Sequence, residues 1–450
     1  MSIRYSIRRF LAAAALLLPA LSCTRDRDSL LKIYNWGDYI DESLLPEFES
    51  WYESQTGEKV KTVYQTFDIN ETMLSKIERG REDFDVVCPS DYIIERMLRS
   101  DLLLPIDRDF GDTPDWISSN ISPFISDWFS RIDGHGKDAR DYAAGYMWGT
   151  TGILYNTRYV TEEEASTWAV ICNPKFSGKI FIKDAARDVF APMLIYLRQD
   201  EIKSGRVTMD ELMSDSSDSS LADVERHMKE VKKHIAGWEA DFGKELMSQG
   251  AGYVNLTWSG DAVWAMEEGR NAGVELDYRV PAEGSAIWFD GWVIPRYARN
   301  VKAARYFIDF MCKPENAIRN MEVIGYVSAV CGKEILDHIA DNDRYGPVDL
   351  TYFFGEGADS VCANPVQYPD RSAVARCVLE HDWGDDTPKL TEMWSRVKGD
   401  GISAWTAAIL SCVAAALVAA TVVKSVHRRH RRLGAGRRLS KRRNKLNTRI

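Results

Sequence analysis

The sequence predicts an α/β fold built from parallel βαβ units, with enough chain for two domains. Three observations carry this reading. Short β-branched and aromatic runs alternate with stretches whose apolar residues recur at helical spacing. Polar and aromatic residues follow the strand-like runs directly. Finally, roughly 380 residues separate Cys23 from Gly401, which suits two ordinary domains with full cores rather than one.

The first element is the stretch Leu31 to Ile40, Leu-Lys-Ile-Tyr-Asn-Trp-Gly-Asp-Tyr-Ile. Leu31, Ile33 and Tyr34 favour a strand, and Asn35 with Gly37 break it. Trp36, Asp38 and Tyr39 therefore fall at the carboxyl end of a strand, the edge where open α/β sheets bind small ligands. An indole, a carboxylate and a phenol so close together suit a ligand that is both cationic and apolar. A buried Trp and Tyr beside a solvated Asp would read as ordinary core, but similar groups recur down the chain.

Leu44, Leu45, Phe48, Trp51 and Tyr52 recur at helical spacing, and Gly57 closes that helix. Lys59 to Tyr64 alternates as a second strand. Asn70 suits the N-cap of a helix that carries Met73, Leu74 and Ile77 and stops at Gly80. Phe84 to Cys88 is a short apolar run followed by Pro89-Ser90-Asp91-Tyr92, again polar and aromatic groups just past a strand. Ser214 to Ser220 reads as a solvated Ser/Asp-rich loop, and His227 and His234 as solvated residues of a charged helix. No repeat of solenoid period is present.

The two ends differ from this body. Arg4, Arg8 and Arg9 precede an apolar run from Phe10 to Leu21, as in a secretory signal, and Ala20-Leu21-Ser22-Cys23 resembles a bacterial lipobox. Cleavage before Cys23 and a lipid on that residue are expected. Ile402 to Val423 is uncharged and long enough to span a hydrocarbon core, and residues 424–450 carry twelve Lys and Arg and no acid. The formal charge of −10 therefore conceals a body, residues 24–423, of about −25. Such an acidic body disfavours nucleic acid and favours cationic partners.

Cys88, Cys172, Cys312, Cys331, Cys362 and Cys377 remain as possible disulfide formers, and no spacing selects a pairing. With no C-x-x-C pair, no H-E-x-x-H and seven scattered His, no metal site is expected. Nucleophile elbows, Walker loops and dinucleotide fingerprints are absent too, so neither a cofactor nor a catalytic role is expected.

Tyr34-Asn35-Trp36, Asn70-Glu71-Thr72-Met73, Phe84-Asp85-Val86-Val87-Cys88-Pro89-Ser90 and Ile324-Gly325-Tyr326 resemble the periplasmic spermidine/putrescine-binding proteins that feed polyamine ABC transporters. The resemblance runs in order from about Leu31 to Lys398. It implies a type II periplasmic-binding-protein fold of two lobes with the ligand in the cleft between them, and ABC permease subunits as partners. The first lobe would comprise residues 24–147 with about 290–337, and the second about 151–286 with about 340–398. Tyr146 to Asn156 and Pro281 to Asp290 would be the crossings. Residues 1–22 would be the signal peptide, 402–423 a transmembrane helix and 424–450 a basic tail that departs from the family.

A polyamine site needs carboxylates at set separations and aromatic walls along the methylenes between them. By the resemblance, Trp36, Asp38 and Tyr39 fall on the first binding loop and Ser90 and Tyr92 on the next. Asp188 falls on the acid of Asp184-Ala185-Ala186-Arg187-Asp188-Val189-Phe190, and Trp258, Asp261, Trp288, Asp290 and Tyr326 complete the set. Two positions depart from the spermidine-binding pattern: Ala185 replaces an acid, and Glu380 stands where a glutamine is expected. No basic residue occupies a candidate position, which tells against a sugar. A periplasmic lipoprotein that delivers putrescine or spermidine to a permease is expected; a membrane-anchored sensor or a sugar receptor is the alternative.

Overall fold

The computed structural model describes residues 27–240, 242–341 and 344–399. Cys23, the uncharged run 402–423 and the basic tail lie outside the described residues. Spatial proximity divides the chain into Met1–Met393 and Trp394–Ile450, and of the second unit only residues 394–399 are described.

Strand β1 spans Leu30–Trp36 and is followed by the helix Leu44–Thr56. Next come β2, Lys61–Phe67, and β3, Val86–Val87, both parallel to β1, so the βαβ reading holds. The second strand starts and ends later than alternation alone suggests, because its register is set by β1, from Leu30 opposite Lys61 to Trp36 opposite Phe67. The later strands are β4 Leu103–Leu104, β5 Ala143–Asn156, β6 Ile180–Lys183, β7 Ile235–Glu239, β8 Val254–Trp258, β9 Leu276–Arg279, β10 Ser285–Pro295 and β11 Val327–Ser328.

Among the described residues one 12-stranded sheet follows the path β2-β1-β3-β10-β5-β8-β6-β7, with β9 and β11 pairing off it on β5, and β4 and the short strand Cys377–Val378 on β10. Two parallel sets, β2-β1-β3 and β8-β6-β7, are joined by β10 and β5, which run antiparallel to each other. β5 pairs with β10 up to Thr150 and with β8 from Thr151 onward, and all its residues are buried. Tyr146 to Asn156 lies within β5, and Pro281 to Asp290 overlaps the first half of β10, the two strands that connect the parallel sets.

Burial on both faces explains the composition of the strands. Leu31 and Ile33 of β1 join one core cluster and Tyr34 the other, just as Trp292 and Ile294 of β10 oppose Val293. Successive side chains alternate across the sheet, and a strand covered on both sides reads as a near-continuous apolar run. No helix among the described residues is long and apolar enough to cross a membrane.

Three local expectations are corrected, and the cysteine pairing that the sequence left open is read from the structure. Asn70 is the first residue of the helix Asn70–Glu78, not its cap; Ile69 holds the cap position and makes no side-chain bond there. Ser217 caps the helix Asp218–Val231 through the Ser220 amide, so Asp218 to Ser220 are helical. His227 is half-buried, 3.4 Å from Cys172 Sγ and beside the Tyr196 ring, and burial pushes its pKa down; His234 is half-buried as well. The six described cysteines are all free thiols.

Candidate functional site

The site gathers at strand ends and at one irregularity of the sheet. The β10–β5 register shifts between Asp290 and Gly291, and Ser90 bridges to Asp290 just before the helix Asp91–Arg99 begins. A bulge re-aims side chains at such points. The Asp290 carboxylate accepts 2.7 Å hydrogen bonds from Ser90 Oγ and from the Tyr39 hydroxyl. It is only 5% exposed, and among the described residues no Lys or Arg pairs with it. Burial pushes its pKa up to about 6 against the pull of Ser90 and Tyr39, with Asp188 adding to the rise.

Aromatic rings surround this carboxylate. Tyr326 meets Tyr39 edge-on at 5.5 Å and Trp288 at 5.4 Å. Two glycines make room for them: a Cβ at Gly149 would lie 2.6 Å from the Trp288 ring, and one at Gly260 would enter the Tyr326 ring. The Trp288 indole N–H is buried and has no partner among the described residues.

The far side of Tyr326 leads to a second carboxylate. Asp261 lies in the first turn of the helix Ser259–Asn271 and accepts from the Tyr326 hydroxyl at 3.1 Å. Its other oxygen holds Lys183 Nζ at 2.6 Å, and the same ammonium sits 4.2 Å from the centre of the Trp258 ring. Trp258 turns its N–H to Asp188 at 2.8 Å. Burial raises the pKa of half-buried Asp188, against the pull of Trp258, Lys183 and Arg187.

A third group surrounds Arg187, whose guanidinium lies 4.2 Å over the Tyr92 ring and 5.4 Å over Trp383, and donates to the His381 carbonyl at 2.8 Å. Glu380 is buried 4.0 Å from Arg187 and is pushed well above the usual carboxylate range by burial, with Asp188 adding to the rise. Asn70 donates to Ser90 Oγ at 3.1 Å and to the Tyr92 hydroxyl at 3.0 Å, which ties this group to Asp290.

Tyr39, Ser90, Tyr92, Asp188, Trp258, Asp261, Trp288, Asp290, Tyr326 and Glu380 are thus joined by contacts, directly or through Asn70, Lys183 and Arg187. Trp36 packs on Phe67 at 4.6 Å with its N–H unpartnered among the described residues. Asp38 is exposed in a left-handed conformation, φ 50°, and the structure does not join it to the others.

The sequence reading missed Asn70, Lys183 and Arg187 as site residues. It also missed Asp91, whose buried carboxyl accepts the Tyr92 and Phe289 amides and is raised to about 8 by burial. Lys183 had a signal: a lysine ending the apolar run Ile180-Phe181-Ile182 needs a counter-charge if the strand is covered. The described residues hold no cluster of His, Cys, Asp and Glu fit for a metal.

Residues 50–332 match the family Bacterial extracellular solute-binding protein, and the chain belongs to it. This is a family of substrate-binding transport proteins rather than enzymes, and the fold is the two-lobed periplasmic-binding-protein fold expected from the sequence. More particularly, the chain is 27% identical over 344 residues to the spermidine/putrescine-binding periplasmic protein of Escherichia coli (strain K12), covering 75% of this chain and 88% of that one. Identity to the putrescine-binding periplasmic protein PotF of the same organism is 29% over 332 residues, 71% of this chain and 83% of that one. The solved structure of the spermidine/putrescine ABC transporter substrate-binding protein PotD from Streptococcus pneumoniae is 28% identical, with a TM-score of 0.59 over 82% of this chain and 98% of that one.

Proposed function

We propose that this chain captures putrescine or spermidine outside the cytoplasmic membrane and delivers it to the permease of an ABC transporter. Asp290 carries the reading: a buried carboxylate with two hydroxyl donors, no cation among the described residues, and tyrosine and tryptophan rings beside it. A primary ammonium supplies the missing charge, and ring edges and faces accommodate the methylenes behind it. Relatives named for these amines support the same ligand class.

The case against a sugar changes its footing. Lys183 and Arg187 do lie in the site, so basic residues are not lacking. Lys183, however, spends its donors on Asp261, Glu239 and the Ala240 carbonyl. What disfavours a neutral ligand is the set of carboxylates, Asp290, Asp188 and Glu380, of which Asp188 pushes the other two up.

The rest of the reading follows the sequence. The lobes divide as 24–147 with about 290–337, and about 151–286 with about 340–398; residues 1–22 are a signal peptide, and Cys23 carries the lipid that holds the protein in a periplasmic membrane face. A thermal-shift and calorimetric screen tests the ligand. An amine at a hundredfold its dissociation constant adds about 2.7 kcal/mol of stability, whereas a sugar adds none; sugar binding without amine binding overturns the proposal.

A further inference from the structure

Lys183 is fully buried, and its ammonium makes the contacts that the polyamine reading assigns to a ligand: a carboxylate, Asp261, at 2.6 Å and an indole face, Trp258, at 4.2 Å. The box is continuous with the Asp290 site. Tyr326 bonds Asp261 through its hydroxyl and meets Tyr39, the partner of Asp290, with its ring edge. Trp258 in turn orients Asp188. We infer that Lys183 is a resident ammonium that fills one cation position of the cleft, and so sets which amine this protein prefers.

The inference rests on the amine-binding reading and deepens it. With Asp261 neutralised from within, the carboxylates left for a ligand are Asp290 and Asp188, with Glu380 already facing Arg187. Two ammonium groups of a short diamine match two such positions. A third ammonium of a triamine is desolvated on entry and finds the third box taken. An unpaired desolvated charge costs more than the added methylenes return.

Stability alone is a weak reason for the pair. A buried ion pair is commonly no better than an apolar substitute of similar volume, because two charges must first be desolvated. Lys183 bridges Asp261 to Glu239, at 3.3 Å, and Glu239 is raised to about 7 chiefly by burial. The lysine thus neutralises a carboxylate that lines the site together with one behind it.

The test measures putrescine and spermidine affinities on wild type, Lys183→Met and Lys183→Met/Glu239→Gln. The double variant removes the carboxylate behind the site as well, leaving one unpaired acid instead of two if the single variant folds poorly. In a folded variant Asp261 loses its closest cation and keeps only the more distant, partly exposed Lys244 at 4.0 Å, and the ratio of spermidine to putrescine affinity should rise at least tenfold over wild type. A ratio within threefold of wild type in a folded variant overturns the inference while leaving amine binding intact. Wild type that binds neither amine instead overturns the functional reading. A crystal structure of wild type with putrescine reads the same point without a variant: Lys183 Nζ still on Asp261 supports the inference, and a ligand nitrogen in its place overturns it.

Discussion

Asp290 is the residue on which charge, burial and geometry converge. A carboxyl raised from 3.8 to about 6 makes its ionised form cost the empty folded protein on the order of 3 kcal/mol at neutral pH. Asp290→Asn keeps the volume and removes that charge. The empty variant should therefore be more stable than wild type by about 1–3 kcal/mol in urea unfolding, yet bind putrescine at least a hundredfold more weakly. Equal affinity, or a plain loss of stability, would show a structural role instead. The pH dependence has two opposite signs. Because the folded pKa lies above the unfolded one, the penalty on the empty protein is present above about pH 6 and is relieved as pH falls through 6 towards 3.8. Amine binding needs the ionised form, so affinity should fall up to tenfold per unit below about pH 6. Calorimetry in buffers of different ionisation enthalpy should detect proton release on binding near pH 6 and much less at pH 8.

At the scale of elements, the cleft is made by strand ends and by close approaches of backbone to ring. Gly260 illustrates the second device. In a helix such as Ser259–Asn271, Gly to Ala ordinarily gains about 1 kcal/mol, but here the added Cβ enters the Tyr326 ring. Gly260→Ala should displace Tyr326, lose at least tenfold in putrescine affinity and gain nothing in melting temperature; affinity within threefold of wild type would show that Tyr326 does not wall the ligand. The βαβ order and the strand-end groups Tyr39, Ser90 and Tyr92 were legible in the sequence, because alternation and strand-end position are local patterns, whereas Asp188, Trp258, Asp261, Trp288, Asp290 and Tyr326 came only from the resemblance to the family. The partners of Asn70 were not. Capping preference is a property of the nearest few residues, whereas its amide finds Ser90 and Tyr92 twenty or so positions away. Lys183 and Arg187 escaped for the same reason: a basic residue followed by an acid reads as a local pair until the fold buries it and brings Asp261 and Glu380 to it.

For the whole molecule the open matter is how an acidic body of about −25 is held near its permease. Two anchors are proposed from the sequence, Cys23 after an apolar run and the uncharged stretch 402–423 ahead of a tail rich in arginine, and both lie outside the described residues. They have different physics. A lipidated cysteine holds the protein through buried acyl chains, each methylene adding about 0.8 kcal/mol, so several chains together make a durable anchor. A span of 22 residues rich in Ala, Ser and Thr is long enough to cross but weakly apolar per residue. Truncation after Lys398 should therefore leave the protein in the membrane fraction, and Cys23→Ser in that truncated chain should release it to the soluble fraction. Mass spectrometry should find diacylglycerol on Cys23 of the truncated protein. If truncation with Cys23 intact already yields fully soluble protein, the lipid reading fails and the C-terminal stretch is the anchor.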